Sequence, residues 1–163
     1  MRARRTDLAL PLVLVAWFSG VSAPWACEEL FAQRVKERVP PGLWGSTYLT
    51  AIGDFDGDGR VDRAFFLPAA GTVPLIVCHG DGKRVTTLLE LGSIETLAEQ
   101  GIASVRRGAH PSLCGKGYGP DCGPGEPATI TLDHEAIQFL YLERSSYLLY
   151  WQDGEWNKIW WSD

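Results

Sequence analysis

The residues best placed to do chemistry in this sequence are four aspartates in one short loop. Asp54, Asp56 and Asp58 occupy relative positions 1, 3 and 5 of the stretch Asp54-Phe55-Asp56-Gly57-Asp58-Gly59-Arg60-Val61-Asp62, with Gly59 at position 6 and Asp62 at position 9. Calcium takes six to eight oxygen ligands, and alternating carboxylates in a tightly turned loop aim several oxygens at one centre while a glycine permits the bend. Without a cation, four carboxylates so close together repel one another strongly. An EF-hand loop ends on a bidentate Glu at position 12, but position 12 here is Phe65, and residues 61–67 read as a strand rather than a helix. The spacing predicts a calcium loop between two strands, with side-chain oxygens from Asp54, Asp56, Asp58 and Asp62 and the backbone carbonyl of Arg60 as ligands. Magnesium, smaller and more demanding of octahedral geometry, suits so carboxylate-dense a loop less well. A cage filled by protein oxygens, with no nucleophile or base beside it, points to a stabilising ion rather than a catalytic one.

The elements that must hold this loop are mainly strands. Runs rich in β-branched and aromatic residues, separated by Gly, Pro or Asp, predict strands over 47–52, 63–67, 73–78, 85–91, 103–107, 128–132, 137–142, 147–151 and 156–161. Asp81-Gly82 and Asp153-Gly154 are the pairs expected at tight hairpin turns. A short helix is expected over 93–100. Ahead of the strands, Leu30, Phe31, Val35 and Val39 recur at helical spacing between acidic and basic ends until Pro40-Pro41 stops them, which predicts an amphipathic helix over 28–39. Residues 108–127, poor in apolar side chains and rich in Gly and Pro, are expected to form a long loop. The expected fold is α+β and mainly antiparallel, one bent sheet or a sandwich with the N-terminal helix packed on it.

The stretch from Ala51 through the acidic loop to Phe66 resembles the core of an FG-GAP or VCBS-type repeat, as in integrin-like propellers. The resemblance implies that the Asp-rich loop joins two strands of a blade and holds calcium through the ligands named above. The motif occurs once, so a full propeller is not expected. The tail from Ser145 to Asp163, together with Gly115-Lys116-Gly117-Tyr118, also resembles small exported bacterial proteins of unassigned role, a likeness that brings no activity with it.

The start of the chain reads as an export signal: Arg2, Arg4 and Arg5, an apolar run from Leu8 to Phe18, then small residues up to Ala26. The run holds Pro11 and falls well short of the roughly 20 residues that cross a bilayer, so no transmembrane segment is expected after processing. The expected arrangement is a signal peptide over 1–26 and a single β-rich domain over 27–163, periplasmic or secreted. Cleavage after Ala26 leaves Cys27 first, which opens lipid anchoring as a second option. Removing three Arg and one Asp from the chain's 15 basic and 20 acidic residues leaves 12 and 19, a formal charge of −7 that argues against nucleic acid as a partner. All four cysteines follow the cleavage site, and an even count in an oxidising compartment favours two disulfides; of the three pairings that four cysteines allow, the one expected joins Cys114 to Cys122 across a short loop and Cys27 to Cys78.

Little else points to catalysis. No Gly-x-Ser-x-Gly elbow is present, and the region around Gly115-Lys116-Gly117 lacks the spacing of a phosphate loop. His79, His110 and His134 sit far apart in turn-like settings and read as solvated loop residues. Glu143 with Asp133 or Glu135 could form a carboxylate pair near the 108–127 loop, the basis of an alternative reading as an exported hydrolase. No set of nucleophile, base and orienting group can be named, so a non-enzyme is expected. Tyr147, Tyr150, Trp151, Trp156, Trp160 and Trp161 crowd the end of the chain; alternation puts Trp156 and Trp160 on one strand face and Trp161 on the other. Exposed members of that row could meet a protein or carbohydrate partner.

Overall fold

The computed structural model describes residues 49–69, 71–117, 121–142 and 144–162. The signal segment expected over 1–26, the helix expected over 28–39 and Cys27 lie outside these residues.

The described residues form ten strands, and every pairing among them is antiparallel. Strands β1 (Thr50–Gly53), β2 (Asp62–Phe66), β3 (Val73–Cys78) and β4 (Val85–Leu91) form one sheet in the order β1-β2-β3-β4. Strands β5 (Gln100–Val105), β8 (Ala136–Tyr141), β9 (Ser145–Gln152) and β10 (Glu155–Ser162) form a second in the order β10-β9-β8-β5. Between β5 and β8 the chain runs out and back through a two-stranded ribbon of β6 (Gly108–Pro111) and β7 (Thr129–Leu132).

The period-2 alternation of the strands explains how these pieces stack. Ala64, Phe66, Leu75 and Val77 of the first sheet meet Ile102, Ile137, Phe139 and Leu149 of the second in one buried core. The neighbouring residues Val105, Ala136 and Leu148 turn to the other face, where Ile130 and Leu132 of the ribbon cover them. The second sheet is thus buried on both faces. On the far face of the first sheet, Phe65, Ile76 and Cys78 form a smaller buried cluster. The two sheets also meet edge to edge: the Ser104 hydroxyl of β5 accepts from the Ile52 N–H at 3.0 Å and donates to the Ile52 carbonyl at 2.7 Å.

Most expected strands are present, and the departures have local causes. Residues 108–127 are not all loop, because Gly108–Pro111 pairs with Thr129–Leu132. The strand expected over 103–107 runs instead from Gln100 to Val105, since Arg106 and Arg107 enter a kink. The expected helix over 93–100 is a 3-10 turn from Ile94 to Glu99, with Leu97 buried under it. Asp153 and Gly154 both take positive φ, 54° and 85°, in the two-residue turn between paired Gln152 and Glu155. Asp81-Gly82 lies within a longer connection over 79–84, closed by the His79 N–H on the Arg84 carbonyl at 3.0 Å. The Cys114–Cys122 disulfide is formed. Cys78 carries no free thiol; its expected partner Cys27 falls outside the described residues. Among the described residues no helix is long and apolar enough to cross a membrane.

Candidate functional site

The acidic loop joins β1 to β2, and its ends are the paired residues Gly53 and Asp62. Phe55, wholly buried between two aspartates, pins the loop to the main core. Around it the carboxylates fold back onto backbone N–H groups: Asp56 Oδ1 accepts from Asp58 at 3.2 Å, Asp58 Oδ1 from Arg60 at 2.9 Å, and Asp54 Oδ2 from Gly59 at 3.1 Å. The first two, each made two residues on, are Asx turns, the local alternative to regular structure that short acidic side chains favour. The result brings one oxygen each of Asp54, Asp56 and Asp58 within 4.8 Å of one another. Oδ1 of Asp54 is buried and has no hydrogen-bond partner.

Asp62 plays a different part. Its side chain is fully buried, Oδ2 accepts from the Phe55 N–H at 2.9 Å and Oδ1 from the Gly80 N–H at 2.7 Å, so it ties the loop to the end of β3. Burial pushes its carboxyl above the ordinary value despite those two donors. Arg60, the fifth expected ligand, is exposed and contributes its N–H to the turn at Asp58.

Two residues from the 79–84 connection, His79 and Arg84, which the spacing did not single out, complete this side of the surroundings. His79 is buried beneath the loop, with Nδ1 2.8 Å from Asp56 Oδ2 and Nε2 2.9 Å from the Thr86 hydroxyl. It is therefore not a solvated loop histidine: the end of β3 carries it under the aspartates, whose carboxylates give it a partner. Asp56, Asp62 and His79 form a second set of potential ligands within 4.8 Å. Arg84, half-exposed, places Nη2 2.8 Å from Asp56 Oδ2 and 3.6 Å from Asp58 Oδ2, while its Nε donates to Asp81 at 2.7 Å. At Asp56, burial favours the protonated carboxyl, but the Asp58 N–H, Arg84 and His79 outweigh it and hold the group below the usual carboxylate range.

Glu135 and His134 dock the loop from the other side. Glu135 Oε2 accepts from the Asp54 N–H at 2.9 Å, and its own N–H donates to the Asp54 carbonyl at 3.2 Å. The His134 ring lies so close to Gly57, which has φ +74°, that a Cβ there would sit 2.8 Å from Nδ1. Gly57 is thus required both by its backbone and by its neighbour. Glu135 is committed to the loop, Asp133 is exposed, and Glu143 lies outside the described residues. His110 and His134 also have partners, the carbonyls of Arg106 at 2.8 Å and of Trp151 at 2.9 Å. In the aromatic row, Tyr147 stacks on half-exposed Trp160 at 3.8 Å, Trp156 packs on the main core, and Trp161 packs on the ribbon side.

Comparison with protein-family models, with curated proteins and with solved structures finds no match in any of the three.

Proposed function

We propose that this is an exported, calcium-stabilised structural or interaction protein whose single ion is held by the Asp54–Asp62 loop. The observation that carries this reading is Asp54 Oδ1, a carboxylate oxygen buried without a hydrogen-bond partner and set in a group of three clustered aspartates. A buried acceptor left without a donor is costly, and a bound cation removes that cost. Asp54, Asp56 and Asp58, with Asp62 behind them, form a set of hard oxygen donors that matches calcium better than the softer transition metals. The likeness of the loop to FG-GAP and VCBS-type calcium loops supports the same ion. The Cys114–Cys122 bridge is compatible with an oxidising compartment. The ion's role is to hold the β1–β2 connection, and with it the register of the first sheet.

The deciding experiment is the thermal unfolding midpoint of the purified protein in chelator, in millimolar calcium and in millimolar magnesium, beside an Asp56→Ala, Asp58→Ala variant. A rise in calcium that exceeds the rise in magnesium and is lost in the variant supports the reading. With an affinity of about 10⁻⁴ M, millimolar calcium adds about 1.4 kcal/mol. No shift at about 10 mM calcium would mean that Arg84 and His79 alone balance the loop.

A further inference from the structure

Arg106 and Arg107 lie at the kink between two ladders. Val105 pairs with Ala136 at the end of one and Gly108 with Leu132 at the start of the next, so two residues on one strand, Arg106 and Arg107, face three on the other, Asp133, His134 and Glu135. The extra residue makes a bulge, a device that re-aims side chains and recurs beside functional sites. Here it opens a cleft of about 780 Å³ bounded by the two arginines, these three residues and the acidic loop, a volume in the range of small-molecule sites.

The charges in this cleft are not used up by one another. Among the described residues no ion pair or side-chain hydrogen bond engages Arg106, Arg107 or Asp133, although opposite charges line one cavity. His134 adds a ring nitrogen: its Nε2 faces the Trp151 carbonyl, which can only accept, so Nε2 carries a proton, and Nδ1 is the nitrogen of this ring that can accept. Two guanidinium groups supply forked donors suited to an oxyanion. Asp133, the second oxygen of Glu135 and His134 Nδ1 supply acceptors suited to hydroxyl or ammonium donors.

We propose that this cleft is a binding site for a small ligand carrying an oxyanion at one end and hydrogen-bond donors at the other, held by Arg106 and Arg107 at the first and by Asp133 and His134 at the second. The site goes beyond the ion-binding reading, because it is built from the kink and does not require a metal in the neighbouring loop.

Calorimetric titration of the whole protein, once in calcium and once in chelator, tests it with three probes: galacturonate, whose donors are hydroxyls; glycylglycine, whose donor is an ammonium; and acetate, which has the anion alone. Saturable binding of galacturonate or glycylglycine is expected, weakened about tenfold or more by Arg106→Ala, Arg107→Ala and about threefold by Asp133→Asn, as loss of charge-assisted hydrogen bonds predicts. Whichever of the two binds identifies the donor chemistry. All three positions are exposed, so the variants should keep the parent unfolding midpoint, and that control separates lost binding from lost folding. The proposal is overturned if acetate binds as tightly as the other two, if the substitutions leave binding unchanged, or if neither two-ended probe binds at about 10 mM, the weak limit of small-ligand recognition.

Discussion

Two of the loop's aspartates do opposite work, and substitution separates them. Asp62 gives both oxygens to backbone N–H groups in a place closed to water. Asp62→Ala strands the donors of Phe55 and Gly80, and at about 1–3 kcal/mol for each unsatisfied buried group the expected loss is about 2–6 kcal/mol in urea unfolding, with or without calcium. Asp56 instead faces a cation, Arg84, on the same oxygen that His79 reaches. On the ion-binding reading Arg84 is a built-in competitor, so Arg84→Met is expected to tighten calcium binding by about 2–5-fold at low salt, the range of a partly exposed charge pair; an unchanged or weaker affinity would show that the guanidinium helps to shape the loop. The difference between these residues also marks how far the site could be read from the chain. Alternating Asp and Gly made the loop itself legible, because its ligands are within nine residues of one another. His79, Arg84 and Glu135 were not, because they reach the loop only after β3, the 79–84 connection and the ribbon kink have formed.

Strand order depends on alternation, and alternation is legible where both faces need apolar residues. Val-Pro-Leu-Ile-Val-Cys of β3 and Ala-Ile-Gln-Phe-Leu-Tyr of β8 contribute to clusters on both sides of their sheets, and the limits the sequence predicts for both agree with the structure to within one residue. Gly-Ala-His-Pro of β6 was not, since its burial is slight and only pairing with β7 makes it a strand. The aromatic hairpin β9–β10 shows the same rule in finer detail: Trp156 and Trp161 reach different clusters as alternation requires. Burial in this hairpin raises the phenols of Tyr147 and Tyr150, the first helped by neighbouring Tyr141. A phenol raised above its unfolded value of 10.0 leaves stability intact below that pH and removes it as pH climbs through the folded value. Tyr150→Phe should therefore flatten the alkaline limb of a stability–pH curve while leaving the neutral region nearly unchanged. An equally steep limb would mean that Tyr150 ionises freely in the folded state.

At the scale of the molecule, two sheets and a ribbon share few covalent shortcuts, so what couples them matters. The Ser104 hydroxyl joins the sheet edges, and Glu135 joins the acidic loop of the first sheet to the kink that leads into the second. Glu135 therefore transmits to the second sheet whatever stiffens the loop. If calcium adds about 1.4 kcal/mol to the loop, amide exchange that proceeds by opening of that region slows by about tenfold. In the parent protein the slowing is expected both in 54–66 and in 133–141, because opening the loop also breaks its two hydrogen bonds with Glu135. Glu135→Ala removes the side-chain bond that holds the Asp54 N–H, and hydrogen exchange read by mass spectrometry should then show calcium protecting 54–66 with little change in 133–141. Protection of both segments in the variant would place the coupling in the shared apolar core around Phe55 and Phe139 rather than in the polar clamp. Protection of the first segment alone in the parent would show that the sheets respond independently and that the ion acts only on the strands beside it.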